Sequence, residues 1–360
     1  MIFTPLKALR KNRFKTLLIF LSMCVSVSAI FLISAVSGGV VSMYSSMLKT
    51  DGDVIVTQKG IADTFFSDIN RSLAEEVVSI EGVREAGALI LGAAPVDPLP
   101  IVGIYGVSEN RFKSYTLQSG NYPEMGEVIL GSKIYETLKH PETISLSKRT
   151  FRVSGVFKSK IGFEEGGVVM NLSDAGELFH KSASILLVSL DDLGKSDEIV
   201  ERINALDPQI ESKTTESFID SYNQFKIIQT SSDVIASLAF LMGILGIVSM
   251  MSMVVNDRKA EFGIMRSIGL SSWTIISRLL GETLIIALVA YGTALGLSFG
   301  VLEIIEHAEK FQGYINGEIT LSLMVKVFVV SVTMALAGTF LPAVYASRID
   351  PMSLIQRGGA

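Results

Sequence analysis

The sequence predicts an α-helical membrane protein with four transmembrane helices and a mixed α/β extracytoplasmic domain inserted between helices 1 and 2. Of the 360 residues, 49% are hydrophobic and only 19% are charged, whereas soluble domains carry about 25% charged residues. The mean hydropathy is +0.46, and four segments are apolar over about 20 residues, the length that crosses a bilayer core. These values argue against a soluble enzyme. The net charge of −5 also argues against a nucleic-acid partner.

The distribution of basic residues predicts how the chain is oriented. Lys and Arg are concentrated before the first span, between the second and third spans, and after the fourth, and basic segments remain on the cytoplasmic side. We therefore expect a multi-pass protein of the cell (inner) membrane with both termini in the cytoplasm. The predicted ranges are an N-terminal tail 1–16, spans at 17–37, 233–255, 279–301 and 324–346, an outer domain 38–232, a cytoplasmic loop 256–278, a short outer loop 302–323 and a C-terminal tail 347–360.

The outer domain alternates between strand-like and helix-like patterns. Seven strand-like runs are expected to be strands, at 53–58, 85–91, 100–107, 127–131, 150–157, 167–172 and 185–190. Four runs are expected to be helices, at 72–80, 132–139, 173–180 and 194–205, with Asp174 and Asp191 or Asp192 at N-cap positions. Short connections between these elements predict two small packed α/β lobes.

Apolar residues at helical spacing on both flanks of this domain predict helical stalks. They are Val40, Tyr44, Met47 and Leu48 after the first span, and Phe218, Tyr222, Phe225 and Ile228 before the second. If 216–255 is one helix, it is ~60 Å long and forms a stiff connection between the outer domain and the membrane. The alternative is two ordinary helices with a break near Thr230–Asp233.

The loop after the second span contains a short amphipathic segment. Gly269 is expected to end its helix, and Ser271 or Ser272 to cap the next one. Such a helix suits either a docking surface for a cytoplasmic partner or a position on the lipid headgroups, with Trp273 as an interfacial anchor. Phe262, Met265, Ile268 and Gly269 fall on one helical face, and Arg258, Lys259, Glu261 and Arg266 on polar faces.

Residues 258–270, with the sequence RKAEFGIMRSIGL and followed by Glu282, resemble the coupling segment of the MacB/FtsX-like ABC transporter permeases. The runs GEVILGSKIYETL (126–138) and FRVSGVF (151–157) are similar to the family's periplasmic core domain, and the pattern from Pro342 to Leu354 is similar to its C-terminal end. The resemblance implies a dimeric, non-catalytic subunit of the type VII, mechanotransmission class. It also implies that an ATPase subunit contacts Arg258, Lys259, Glu261, Phe262, Gly263, Met265, Arg266, Ile268 and Gly269.

Two further groups of residues have alternative interpretations. Gly292, Gly296 and Gly300 in the third span form a double G-x-x-x-G pattern for close helix contact, within one subunit or between two; Ser22 and Ser26 form a similar face in the first span. Glu303, Glu306 and His307 are candidate metal ligands, with a solvated acidic helix as the alternative.

The resemblance to this family implies a permease subunit that couples ATP hydrolysis to movement of the outer domain, for export or release of a lipoprotein, peptide, drug or haem-like molecule. No phosphate loop is present, so ATP and Mg are expected on a partner ABC ATPase and no cofactor on this chain. A second permease copy or paralogue and an outer adaptor are the other expected partners. The alternatives are an FtsX-like signalling or scaffold subunit that regulates an extracytoplasmic enzyme and, more weakly, a metal-ion-handling permease.

Overall fold

The computed structural model describes residues 13–159, 162–307 and 317–349. The described residues fall into two compact units, one within Met1–Ser37, Thr230–Glu303 and Glu318–Ala360, the other within Gly38–Gln229 and Ile304–Gly317. The predictions for the tail before residue 13, for residues 308–316 of the short outer loop and for the tail from residue 350 lie outside the described residues.

The predicted fold class is confirmed in its coarse form, because four apolar helices are present and a mixed sheet lies in the chain between the first and second of them. In chain order the elements are α1 (Arg13–Asp51), β1 (Val54–Gln58), α2 (Leu73–Val78), β2 (Val83–Val96), β3 (Leu99–Val107), β4 (Thr116–Gly120), β5 (Glu127–Gly131), α3 (Ser132–Thr137), β6 (Thr143–Leu146), β7 (Arg149–Lys158), α4 (Gly162–Glu165), β8 (Val168–Asn171), α5 (Leu172–Phe179), β9 (Ile185–Leu190), α6 (Ser196–Asn204), β10 (Ile210–Thr214), α7 (Thr215–Ser221), α8 (Asn223–Asp257), α9 (Lys259–Ser267), α10 (Ser272–His307) and α11 (Leu321–Ser347).

The first unit is a bundle of the long helices α1, α8, α10 and α11, each apolar and long enough to span a membrane. Small residues bring α1 and α8 together, since Gly246 lies against Ser22 and Gly243 against Ser26 with no room for a Cβ. The predicted small-residue face of the first span therefore packs within the chain. In contrast, a Cβ on Gly292, Gly296 or Gly300 would meet no atom of the described residues within 4 Å, so packing within the subunit does not account for these glycines.

The second unit is built on one ten-stranded sheet in the order β10-β1-β9-β2-β3-β8-β5-β7-β4, with β6 paired to β7. The pairs β3–β8 and β5–β7 are parallel and the others antiparallel. The prediction of two lobes is wrong, because β8 pairs with β3 on one side and with β5 on the other and makes the sheet continuous. All seven predicted strands are present, and β4, β6 and β10 were missed.

Alternating side chains of the central strands are buried on opposite faces of the sheet. On β2, Ile90 joins a core covered by α2, α3, α5 and α6, whereas Leu89 and Leu91 join a core with Met47 from the end of α1 and Phe218 from α7. Six of the eight predicted stalk residues belong to or pack against this second core, namely Tyr44, Met47, Leu48, Phe218, Tyr222 and Phe225, so the ends of the stalks cover one face of the sheet within this unit.

Of the predicted N-caps, Asp192 is confirmed and Asp174 is wrong. Asp192 caps the short 3₁₀ turn Leu193–Lys195 by accepting a hydrogen bond from Gly194 N (2.9 Å). Asp174 does not cap α5, because Asn171 occupies the N-cap and accepts from Ser173 N (3.0 Å). The Asp174 carboxylate is buried and accepts from Gly126 N (2.8 Å) instead.

The stalk before the second span differs from both sequence interpretations. Helix α8 is continuous through Thr230–Asp233, and its 35 residues give a length of about 50 Å. The break lies at Tyr222, which adopts an extended conformation between α7 and α8. The Tyr222 hydroxyl donates to Asp63 Oδ1 (2.8 Å) and accepts from Thr64 N (3.1 Å), and these contacts hold the chain out of helical geometry.

Candidate functional site: the α8–α10 connection

The connection between α8 and α10 contains the short helix α9 (Lys259–Ser267), and hydrogen bonds mark where α9 ends and where α10 begins. Gly269 has φ +84°, and two backbone bonds close a Schellman motif, from Gly269 N to Arg266 O (3.1 Å) and from Leu270 N to Met265 O (3.0 Å). The Arg266 guanidinium also donates to Leu270 O (3.0 Å). Ser271 Oγ accepts from Thr274 N (3.3 Å) at the start of α10. The predicted helix end at Gly269 and the predicted cap at Ser271 are both confirmed.

Four charged side chains tie α9 to α10. Arg258, which immediately precedes α9, donates to Glu282 of α10 through Nη1 (2.7 Å) and Nη2 (3.3 Å). The same guanidinium pairs with Glu261 of α9, from Nε to Oε2 at 3.0 Å. Arg278 of α10 pairs with Glu261 at 3.0 Å, and its Nε lies 3.4 Å from Glu282 Oε1, an ion pair without hydrogen-bond geometry. Two arginines and two glutamates thus form a closed, charge-balanced network.

The centre of this network is removed from solvent. The side chains of Arg258 and Glu282 are only 8% and 4% exposed, and a buried charge is tolerated only when it is paired and hydrogen-bonded. Burial alone lowers the pKa of Arg258, but the hydrogen bonds to Glu261 and Glu282 outweigh it and raise the pKa above its ordinary value. The guanidinium also lies 5.1 Å from the centre of the Phe262 ring, a cation–π distance.

The residues predicted to contact an ATPase subunit differ in how deeply they are buried. Those buried against the bundle are Arg258, Phe262 and Gly263; those partly exposed are Lys259, Glu261, Met265 and Arg266; those exposed are Ile268 and Gly269. The buried group positions α9 and is not available to a partner. The predicted apolar face therefore needs correction, because Phe262 packs inward whereas Ile268 is 71% exposed.

The exposed apolar side chains of this segment are Ile264 (63%), Ile268 (71%) and Trp273 (67%). Ile264 and Ile268 are four residues apart and share one helical face, which we name the α9 outer face. The sequence interpretation missed Ile264 because it assigned the apolar stripe to Phe262 and Met265. The i, i+4 spacing of Ile264 and Ile268 is the pattern in the sequence from which this face could have been predicted.

A second polar cluster lies where the predicted stalks meet in the second unit. Tyr44 of α1 and Tyr222 both hydrogen-bond to Thr64 Oγ1, at 2.7 and 3.2 Å, and the Tyr222 ring stacks on Phe218 at 5.1 Å. Burial is the main cause that raises the pKa of Tyr222 to about 12. Sequence spacing identified the tyrosines but not Asp63 and Thr64, because a tertiary contact across about 160 residues leaves no local pattern.

The candidate metal ligands do not form a cluster in the part of the chain that the structure describes. Glu303 and Glu306 are both exposed, and Glu306 lies 3.8 Å from Lys133 Nζ. No group of three or more His, Cys, Asp or Glu side chains there is close enough to hold a metal ion. The side chain of His307 lies outside the described residues, so the metal site stays a prediction.

Comparison with known proteins identifies the class. Residues 234–351 match the family model of the FtsX-like permease C-terminal region, and residues 16–206 match that of the MacB-like periplasmic core domain. A four-helix bundle with these two regions is an ABC transporter permease. Because the second model alone spans more than half of the chain, the protein belongs to the MacB/FtsX-like family.

Three relatives show the range of this similarity. The macrolide export ATP-binding/permease protein MacB of Nitrobacter winogradskyi is 29% identical over 64% of this chain and 37% of its own length. The lipoprotein-releasing system transmembrane protein LolC of Xylella fastidiosa is 24% identical over 58% and 55%. The putative hemin transport system permease protein HrtB of Staphylococcus epidermidis is 22% identical over 67% and 67%. The chain thus spans well under two thirds of the MacB and LolC relatives.

Proposed function

We propose that this chain is the non-catalytic permease subunit of an ABC complex, in which a separate ATPase subunit uses ATP and Mg and docks on the α9 outer face. Movement of α9 would pass to α10 and through α1 and α8 to the sheet domain outside the membrane. This proposal places both termini and α9 in the cytoplasm, in line with the basic residues around them.

The observation that carries the proposal is the charge network around Arg258. A docking helix transmits force only if it moves with the bundle, and a loosely attached loop would absorb the motion. The paired contacts from Arg258 and Arg278 to Glu282 and Glu261 fix α9 to α10 at two points. The same arrangement leaves Ile264 and Ile268 exposed for an apolar contact with a partner.

The open glycine face of α10 supports a dimer. Gly292, Gly296 and Gly300 are spaced at one helical turn and are open to close approach by a second helix. We propose that a second permease copy or a paralogue packs there.

The relatives narrow the proposed substrate. Their names refer to macrolide export, lipoprotein release and hemin transport, and macrolides, lipoproteins and hemin each combine an apolar part with polar groups. We propose a substrate of this amphipathic class, handled on the outer side of the membrane.

The docking proposal is tested with the full chain co-expressed with its ATPase and reconstituted in vesicles. Ile268→Asp should abolish ATPase binding and ATP-dependent transport, because it places a charge in an apolar contact. Leu193→Asp is the matched control, since Leu193 is 67% exposed in the other unit and should leave binding unchanged. If Ile268→Asp still binds the ATPase with wild-type affinity, α9 is not the docking helix. In that case its outer face is the headgroup anchor that the sequence also allows.

A further inference from the structure

A cavity of about 350 Å³ opens in the helix bundle between α1, α8 and α11, within the range of sites that hold small molecules. Its walls are mainly apolar, with Ile30, Ala236, Phe240, Val327 and Val330 among the lining residues. The lining residues of α8 run from Asp233 to Phe240, which gives the cavity a depth of about 10 Å along the helix. Its apolar part suits the upper portion of one hydrocarbon chain.

One end of the cavity carries a pair of opposite charges. Asp233 stands at the start of the lining run on α8 and Lys326 at the start of the run on α11, with Lys326 Nζ 3.8 Å from Asp233 Oδ1. The two side chains remain 72% and 67% exposed. Ionisable residues within spanning helices are costly and mark functional positions. The long separation and high exposure leave both groups with hydrogen-bonding capacity to offer a third molecule.

We propose that this cavity binds one zwitterionic phospholipid of the surrounding bilayer, of the phosphatidylethanolamine type. One acyl chain occupies the apolar part, the phosphate contacts the Lys326 ammonium, and the headgroup ammonium contacts the Asp233 carboxylate. Charge complementarity selects this occupant, since phosphatidylglycerol would offer its phosphate to Lys326 but has no cationic group to pair with Asp233. A bound lipid would fill the space between α1, α8 and α11, and two of these helices, α1 and α8, belong to the proposed path of transmission.

The binding test uses the full-length protein in nanodiscs made from equal amounts of palmitoyl-oleoyl phosphatidylethanolamine and phosphatidylglycerol. After transfer to mild detergent, native mass spectrometry counts the lipids that remain bound. The wild-type chain is expected to retain one phosphatidylethanolamine. Lys326→Ala and Asp233→Ala should each lower its occupancy about tenfold, since a contact to a charged group contributes about that factor.

A second pair of variants tests the cavity itself. Ala236→Phe fills the apolar part and should remove the lipid, whereas Val234→Phe is a matched control, because Val234 is 54% exposed and outside the lining. Thermal unfolding identifies any variant that fails to fold. If Ala236→Phe does not fold, Lys326→Ala and Asp233→Ala still test the binding of the lipid.

Equal retention of phosphatidylethanolamine in all variants would overturn the proposal. Retention of phosphatidylglycerol instead of phosphatidylethanolamine by the wild-type chain would also overturn the proposal. So would wild-type lipid occupancy in Asp233→Ala, or a bound mass that belongs to an acylated protein. None of these readouts depends on the ATPase, so they are separate from the docking test.

Discussion

Removal of the Arg258 guanidinium is the perturbation with the largest expected effect on the α8–α10 connection. In Arg258→Met, the Glu282 carboxylate, whose side chain is 4% exposed in the wild-type structure, loses both hydrogen bonds from Arg258 and keeps the ion pair with Arg278 Nε at 3.4 Å. Loss of one partner from a buried ion pair costs about 3–5 kcal/mol. Because Arg278 remains nearby, we expect the lower end of that range, about 3 kcal/mol.

The double variant Arg258→Met/Glu282→Met distinguishes pairing from simple loss of packing. With both charges replaced by apolar side chains, no buried charge is left alone, and such replacements are often neutral. We therefore expect the double variant to lose about 1 kcal/mol or less, far below the sum of the two single variants.

Thermal unfolding in nanodiscs measures this cycle, followed by the fluorescence of Trp273, the only tryptophan of the chain. For a domain of 150–250 residues, each kcal/mol moves the midpoint by about 2–4 °C, so Arg258→Met should lower it by about 6–12 °C. Additive losses in the double variant, or an unchanged midpoint in Arg258→Met, would refute the reasoning that a buried pair fixes α9.

Three further outcomes follow from the packing and the titration of single residues. Burial raises the pKa of Tyr222 from 10.0 to about 12, so the contribution of Tyr222 to stability is complete below pH 10 and is lost as the pH rises through 12. In alkaline unfolding, Tyr222→Phe should abolish this loss of stability. An unchanged pH profile in Tyr222→Phe would contradict the assignment of the loss to ionisation of Tyr222. Gly243→Val should destabilise the bundle by about 1–3 kcal/mol, because a Cβ at this position overlaps with Met334 and approaches Ser26 closely. Gly296→Val, with open space around it, should leave the unfolding of the isolated chain unchanged but weaken dimers in crosslinking. Equal effects of the two variants on unfolding would count against both assignments. Gly269→Val forces a β-branched residue to φ +84° and should cost about 1–2 kcal/mol in the same fluorescence assay, with Gly269→Asn closer to wild type.

Most of the fold was accessible from the sequence because its signals are local. The apolar segments, the strand-like runs and the glycine at the end of α9 are each recognised from residues close together in the chain. Two of the three missed strands lack such a signal, since β4 (Thr116–Gly120) and β10 (Ile210–Thr214) are polar and gain their order from pairing with distant strands.

The candidate site was only partly accessible for the same reason. Local spacing indicates only the contact of Glu282 with Arg278, four residues before it, whereas the hydrogen-bonded partner of Glu282 is Arg258, 24 residues away in the chain. The spacing of Phe262, Met265 and Ile268 also could not tell which side of α9 faces the bundle, because α9 is apolar on more than one face. Burial in the folded chain resolved that choice and exposed Ile264.

The docking of an ATPase on the α9 outer face is tested most directly by cysteine crosslinking in the native membrane. Cys24 is the only cysteine and is buried, so a Cys24→Ala background leaves each introduced cysteine as the single reactive thiol. Ile268→Cys should crosslink to an ABC ATPase subunit, and Leu193→Cys, equally exposed in the other unit, should not. A crosslink from both positions, or from neither, would contradict the assignment of α9 as the coupling helix.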